Sequence, residues 1–298
     1  MSLFSLLSYV TRHPLNKGGR ARALGRVLRW QLASRLGMGA IAIPFVNGTR
    51  LLATSGMTGA TGNWYCGLHE HDDMGFALHF LRATDRFFDI GANVGSYMVL
   101  AAGGAGARTV AVEPIPSTFR ALRANVRLND LDDRVTLLNV GVGAEEGKAW
   151  FTSDLDSMNH ALASRDPVGS AVEVAVVTLD GIATQGGPTF IKIDVEGFET
   201  SVLAGGATTM RSEALRCVLI ELNGSGRRFG VADEAIHAQM RAFGFAPARY
   251  DVLARSITAL PADSWNRGGG NTLYVRDLDE CRERVRNAAR FRLVNREI

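Results

Sequence analysis

Along the chain from residue 86, short apolar runs alternate with longer amphipathic ones. Phe87–Gly91, Thr109–Glu113, Val135–Val142, Thr189–Val195 and Ala214–Leu222 read as buried strands, too apolar on both faces for a half-exposed sheet. Between them, 95–102, 117–128 and 199–204 read as helices; in 117–128, Phe119, Leu122 and Val126 fall on one side, and 199–204 stops at Gly205-Gly206. A helix over 234–243 ends at Gly244 and leads to two late strands, 246–252 and 271–275, separated by a loop holding Gly268, Gly269 and Gly270. The run 172–179 alternates apolar with polar or small residues and suits an antiparallel insertion. Strands and helices alternating in this way predict an α/β fold with a doubly wound, mostly parallel sheet.

The stretch before this pattern is different. It contains no Asp or Glu before Glu70, but Arg12, Lys17, Arg20, Arg22, Arg26, Arg29, Arg35 and Arg50. Leu24, Val27, Leu28, Leu32 and Leu36 recur at helical spacing, with Arg22, Arg26 and Arg29 placed on the other side. The simpler expectation is a helix that packs its apolar face on the domain; the other is a basic amphipathic helix lying on an anionic membrane. The chain therefore divides into a basic helical extension (1–70), an α/β domain (71–277) and a charged C-terminal helix (278–298) with a solvated face.

Composition narrows the classes. Hydrophobic residues at 46% and charged residues at 21% are those of a globular protein, and no apolar run reaches the ~18 residues that span a bilayer. In the opening MSLFSLLSYV the positive charges follow the apolar run, the reverse of a secretory signal. Cys66, Cys217 and Cys281 are scattered and never form CxxC, which argues against a disulfide framework or structural zinc and for a reducing cytoplasm. A net charge of +3 with no basic patch interleaved with aromatic residues points away from nucleic acid.

The candidate chemistry lies in FFDIGANVGS, 87–96. A buried strand ends at Asp89, and Gly91 and Gly95 bracket a tight turn into a helix, where a side chain would block a ligand's approach to the backbone. The next strand ends at Glu113, where an acid accepts hydrogen bonds from ribose hydroxyls. A nicotinamide site would place its pyrophosphate on a GxGxxG turn. This turn is Gly91-Ala92-Asn93-Val94-Gly95, and Asp89 beside it would repel a pyrophosphate but suit the ammonium and sulfonium of S-adenosylmethionine.

With FFDIGANVGS, the acid in VAVEPIPSTF (110–119), NVGVG (139–143), VVTLD (176–180), IKIDVEGFE (191–199), VLIELN (218–223) and NTLYV (271–275), the sequence resembles the FkbM family of methyltransferases over most of 85–277. That resemblance implies a class I methyltransferase (Rossmann-like) fold of seven strands, S-adenosylmethionine as cofactor and a hydroxyl oxygen as acceptor. It also implies that Asp89, Gly91, Asn93 and Gly95 line the methionine end, that Glu113 holds the ribose, and that Asn139 and Val140 flank the adenine.

For catalysis, Lys192, Asp194 and Glu196 end the fourth core strand on one face, beyond which ligands of open α/β sheets bind. Either they serve the site or Lys192–Asp194 is an ion pair ordering the strand end. His160, in a polar loop, is a second candidate base or a solvated histidine, and Glu221 faces the pocket or caps a helix. No His/Cys/Asp cluster has metal spacing, so transfer without a metal is expected; His69 and His71, around Glu70, are expected as structural or pocket-rim residues. The expected acceptor is a small molecule or glycan hydroxyl: a sugar of a glycan, glycolipid or natural product, a preference the resemblance supplies. Two other functions remain open, a nicotinamide oxidoreductase and a catalytically silent cofactor-binding scaffold docked through its basic helix.

Overall fold

The computed structural model describes residues 3–36, 39–54, 57–152, 161–162, 170–267 and 270–298. Its strands are β1 Ile41–Pro44, β2 Arg50–Ala53, β3 Arg86–Ile90, β4 Arg108–Val112, β5 Val135–Leu138, β6 Gly141–Gly143, β7 Gly147–Thr152, β8 Ala161–Leu162, β9 Ala171–Thr178, β10 Phe190–Ile193, β11 Cys217–Glu221, β12 Ala246–Asp251, β13 Ser256–Ala259 and β14 Asn271–Val275. The helices are α1 Leu3–Arg12, α2 Arg20–Arg35, α3 Thr58–Cys66, α4 His71–Phe80, α5 Ser96–Val99, α6 Pro116–Leu128, α7 Leu179–Ala183, α8 Glu199–Ala204, α9 Ala207–Arg211, α10 Asp233–Ala242 and α11 Leu278–Arg286.

The central sheet has the order β13-β12-β14-β11-β10-β3-β4-β5. Strands β11, β10, β3, β4 and β5 run parallel, and β14, β12 and β13 complete one edge antiparallel. The seven strands expected are thus extended by an eighth, β13. Its Ser-Ile-Thr-Ala has a single buried residue, Ile257, too weak a pattern to read in advance.

Alternation sorts the strand side chains onto two faces. Phe88, Ile90, Ile191, Ile193, Val218 and Ile220 pack with Val202, Met210, Ile236 and Met240 of α8, α9 and α10. Phe87, Phe190, Cys217 and Leu219 face the other way, in a cluster that also holds Phe76 and Phe80 of α4, Val10 of α1, Val27 and Trp30 of α2, and Ile298. The N-terminal segment, expected to be helical, also holds the antiparallel pair β1–β2, and its helices contribute to the main core. The C-terminal helix is shorter and less solvated than expected: α11 ends at Arg286 and does not run to 298, it buries Cys281 and Val285, and Arg284 pairs with Asp85. All three cysteines are free, with Cys217 and Cys281 sulfurs 3.5 Å apart.

Two local expectations are corrected. The strand expected over 135–142 is broken at Asn139-Val140, where the Asn139 amide donates to the carbonyls of Glu113 (2.8 Å) and Pro114 (2.9 Å). The remainder, β6, joins a second sheet of order β6-β9-β7-β8, in which β9 is antiparallel to β7 as its alternation predicted. The second correction concerns α2. Its buried side is Ala23, Arg26, Val27 and Trp30, while Leu28, Leu32 and Leu36 are 61%, 53% and 79% exposed. Arg26 turns inward because its guanidinium donates to Asn16 Oδ1 and to the Tyr65 carbonyl at the end of α3, at 2.6 Å.

Candidate active site

The strand β3 delivers Asp89 into the interior, 1% exposed, with neither carboxylate oxygen hydrogen-bonded. Burial pushes its pKa up to about 6, although the Lys192 ammonium on the neighbouring strand pulls it down. The turn that follows needs its glycines. Gly91 has φ +80°, and a Cβ there would lie 1.8 Å from the Asp194 carbonyl oxygen, so β3 and β10 meet here backbone to backbone. Asn93 holds φ +51° without being glycine, and its side-chain oxygen accepts from Val94 N at 2.7 Å.

Glu113 follows β4 and is 6% exposed. One oxygen accepts from Asn93 N (3.0 Å) and the other from Ile115 N (2.9 Å), so the acid clamps the glycine turn to the start of α6. Burial raises its pKa to about 7 against the pull of these amides. Glu113, Pro114, Val140, Val142, Phe151 and Phe198 line one cleft, of about 630 Å³. Asn139 braces the loop behind that cleft and Val140 contributes to its wall.

A second cleft, of about 1040 Å³, is lined by Lys192 and Glu221 and by His69, Glu70, Ser96 and Tyr97. Gly91, Asn93, Thr118, Asp194 and Glu196 line both clefts. The two chambers thus meet at the turn after β3 and the segment after β10, where a group bound in one can reach a group bound in the other.

At this junction Lys192 Nζ donates to Asp194 Oδ2 at 2.7 Å and lies 5.0 Å from the centre of the Tyr97 ring. Burial disfavours the ammonium, but Asp194, Asp89 and Glu70 outweigh it and raise the lysine pKa. The expectation that three strand residues share a face is modified. β10 ends at Ile193, and Glu196 reaches the cleft from a turn in which it has φ +53° and Gly197 φ +105°. Burial, and then Asp194, raise the Glu196 pKa.

Glu221, at the end of β11, faces this cleft and caps no helix. Burial and then the charges of Asp194 and Glu196 push its pKa up to about 9, so near neutral pH it holds a proton. Among the described residues, Asp194, Glu196 and Glu221 bring carboxylate oxygens within 4.8 Å of one another, a convergence that spacing along the chain does not reveal. The Lys192 ammonium already occupies a flank of this group.

Glu70 and Tyr97 were not anticipated. The Tyr97 hydroxyl donates to Glu70 Oε2 at 2.6 Å, joining the start of α4 to α5 across the second cleft. No local periodicity predicts a contact between residues 27 apart in the chain. His69 lines the same cleft and its Nδ1 is 2.7 Å from the Tyr9 hydroxyl of α1. His160, the loop 153–160 and 163–169, and Gly268 and Gly269 lie outside the described residues.

The sequence profile of the Methyltransferase FkbM domain matches residues 89–247, more than half of the chain and both walls of the junction. The chain belongs to the FkbM methyltransferase family. The 31-O-demethyl-FK506 methyltransferase FkbM of Streptomyces tacrolimicus is 30% identical over 157 residues, which is 42% of this chain and 60% of that protein's length. Among solved structures, the precorrin-6y C5,15-methyltransferase of Geobacter metallireducens gives a TM-score of 0.38 at 12% identity, over 70% of this chain and 88% of that one. The precorrin-8w decarboxylase of Methanobacterium thermoautotrophicum gives 0.40 at 14%, over 70% and 90%. Likenesses at this level bear on neither substrate nor mechanism. In this FkbM domain, the matched stretch begins at Asp89 and includes Glu113, Lys192, Asp194, Glu196 and Glu221.

Proposed function

We propose that this FkbM-family protein is an S-adenosylmethionine-dependent O-methyltransferase acting on a sugar hydroxyl of a glycan, glycolipid or natural product. The observation that carries the reading is the pair of clefts meeting at Gly91, Asn93, Asp194 and Glu196. The residues fit the cofactor on one further ground: Asp89 is a buried carboxylate with no hydrogen-bond partner, suited to a cationic ligand. Gly91 and Asn93, which line both clefts, would hold the methionine end with Asp89 and Gly95, which line neither, behind them, Glu113 the ribose and Val140 the adenine side. S-adenosylmethionine, when bound, supplies an electrophilic methyl group on a sulfonium.

The residues of the chain do the rest by positioning and proton transfer. Lys192 fixes Asp194 Oδ2, so that this carboxylate orients the acceptor hydroxyl at the junction. Glu196, whose proton affinity is raised by its surroundings, takes the hydroxyl proton on a carboxylate oxygen. Glu221, protonated near neutral pH, donates to a hydroxyl oxygen of the same acceptor. The second cleft presents four carboxyl groups, Glu70, Asp194, Glu196 and Glu221, against the one lysine. Such a lining repels a phosphate-bearing chain and suits a neutral polyol, whose many hydroxyls bind to carboxylates.

The test is calorimetric titration with S-adenosylmethionine, S-adenosylhomocysteine and NAD, followed by transfer of labelled methyl to a panel of glycans and glycosylated natural products. Binding of the first two and label in an alkali-stable sugar ether support the reading. Binding of NAD alone, or transfer only to nitrogen or carbon, overturns it.

A further inference from the structure

We propose that the outward face of α2 docks this protein on an anionic lipid membrane. Helix α2 is held to the body by Ala23, Arg26, Val27 and Trp30, leaving Leu28, Leu32 and Leu36 more than half exposed. At about 100° per residue, these leucines form one stripe along the side opposite the buried residues. Ala21 and Gly25 continue the stripe toward the start of the helix, adding no polar group to it. On the same hairpin, Leu3 and Phe4 of α1 are 59% and 82% exposed.

The charges around the stripe have one sign. Arg29 and Arg22 border it on one side and Arg35 on the other, with Arg20 further round beyond Arg35; all four are exposed. Arg12 and Lys17 are exposed on the same hairpin, and no Asp or Glu precedes Glu70. An apolar stripe bordered by arginines is the arrangement of a helix lying in a lipid interface, with leucines among the acyl chains and guanidinium groups at the phosphates. No helix among the described residues is long and apolar enough to cross a membrane, so contact through this hairpin is with the surface. A second copy of the chain fits the face poorly, because pairing two copies would bring arginines against arginines.

The hairpin is a fixed part of the fold. Asn16 donates to the carbonyls of Val10 and Tyr65, Arg26 ties α2 to α3, and the Tyr9 hydroxyl donates to the His69 carbonyl beside the second cleft. The exposed stripe is therefore presented by a rigid body.

The experiment is flotation of the full chain with vesicles of phosphatidylcholine, with and without phosphatidylglycerol, at low and high salt. The protein should float with phosphatidylglycerol vesicles at low salt, and salt should release it as the Debye length shrinks. The variant L28S/L32S/L36S should partition roughly a hundredfold more weakly, and R22Q/R29Q/R35Q should lose its preference for anionic lipid. Both variants alter exposed side chains only, so their thermal unfolding should match the parent, showing that lost flotation is not lost folding. Failure of the parent to float with either vesicle overturns the proposal, as does undiminished binding by the leucine variant. A parent dimer that the leucine variant converts to monomer also overturns it, making the stripe a self-interface.

Discussion

Replacing Gly91 with alanine tests whether the two chambers meet as described. The new methyl would lie 1.8 Å from the Asp194 carbonyl oxygen and 2.8 Å from its carbon, both backbone atoms that no rotamer change can move away. The left-handed φ of +80° costs a non-glycine residue ~1–2 kcal/mol, and forcing an extra carbon into close-packed structure adds ~1–3 kcal/mol. With an unfolding entropy of ~2.1 cal/mol/K per residue, a loss of ~2–5 kcal/mol lowers the Tm of a chain this size by roughly 3–8 °C. Gly95→Ala is the control: its φ is +93°, but its close neighbours are Leu122 Cδ1 (2.6 Å) and Met98 Cε (2.7 Å), the ends of flexible side chains. That variant should lose only ~1–3 kcal/mol, or roughly 2–5 °C. Differential scanning calorimetry ranks the two, and titration with S-adenosylhomocysteine should show the larger loss of affinity in Gly91→Ala, because relief of the clash with the Asp194 backbone displaces the turn at Gly91 and Asn93. A Gly91→Ala protein that melts within a degree of the parent and binds with parental affinity would refute the packing of β3 against the segment after β10.

Glu113→Ala should weaken S-adenosylhomocysteine binding at least ~10-fold in calorimetry, since it frees the Asn93 and Ile115 amides that order the turn; unchanged affinity would remove Glu113 from the site. Asp194→Asn should keep cofactor affinity within about threefold while lowering kcat ~10²-fold or more in a methyl-transfer assay. Burial raises the pKa of Glu221 to about 9, Asp73 to about 8, Glu113 and Glu199 to about 7 and Asp89 to about 6, all above their unfolded values. The folded state then holds protons that the unfolded state releases, so stability is greatest below pH ~4–5 with respect to these groups and is lost as pH rises toward 9. The ligand-free Tm should therefore fall between pH 6 and 9, and Glu221→Gln should flatten the fall; a Tm rising over that range, or an unchanged slope in the variant, contradicts the assignment. Treatment with EDTA should leave methyl transfer unchanged, because the Lys192 ammonium repels a divalent cation from Asp194, Glu196 and Glu221; restoration by added metal after loss would make that trio a cation site.

How far the sequence could be read depended on whether the signal was local. The strand ending at Asp89, the glycine turn and the acid after the next strand are encoded within 27 consecutive residues, 87–113, and the structure keeps them as one unit. Where two distant segments decide a position, periodicity misled. Leu28, Leu32 and Leu36 have the spacing of a buried face, yet of that face Val27 alone is fully buried, joined by Ala23 and Trp30, and Arg26 is drawn in by a carbonyl 39 residues away. The second chamber was illegible for the same reason. Glu70 and Tyr97 come together only because α4 and α5 pack on the Phe87–Phe190 face of the sheet, and β11 carries Glu221 there as the neighbour of β10.

The two faces of the sheet explain why the charged groups gather where they do. Asp89 and Lys192, one position before the ends of β3 and β10, Glu221 at the end of β11 and Asn271 at the start of antiparallel β14 all lie on the face that is apolar further back at Phe87, Phe190, Leu219 and Leu273. One alternation thus yields packed core at one end of four adjacent strands and ionisable groups at the other. The cost falls on buried polar groups: the Asp89 carboxylate has no hydrogen-bond partner, and the Asn271 amide oxygen is likewise unpaired although its nitrogen donates to Asp73 Oδ2 at 3.3 Å. Burial first, and then the mutual repulsion of acids that share one lysine, pushes Asp89, Glu196 and Glu221 toward their protonated forms. A cationic cofactor beside Asp89 and a polyol across the junction would relieve both deficits, so each ligand should raise the Tm more at pH 9 than at pH 6.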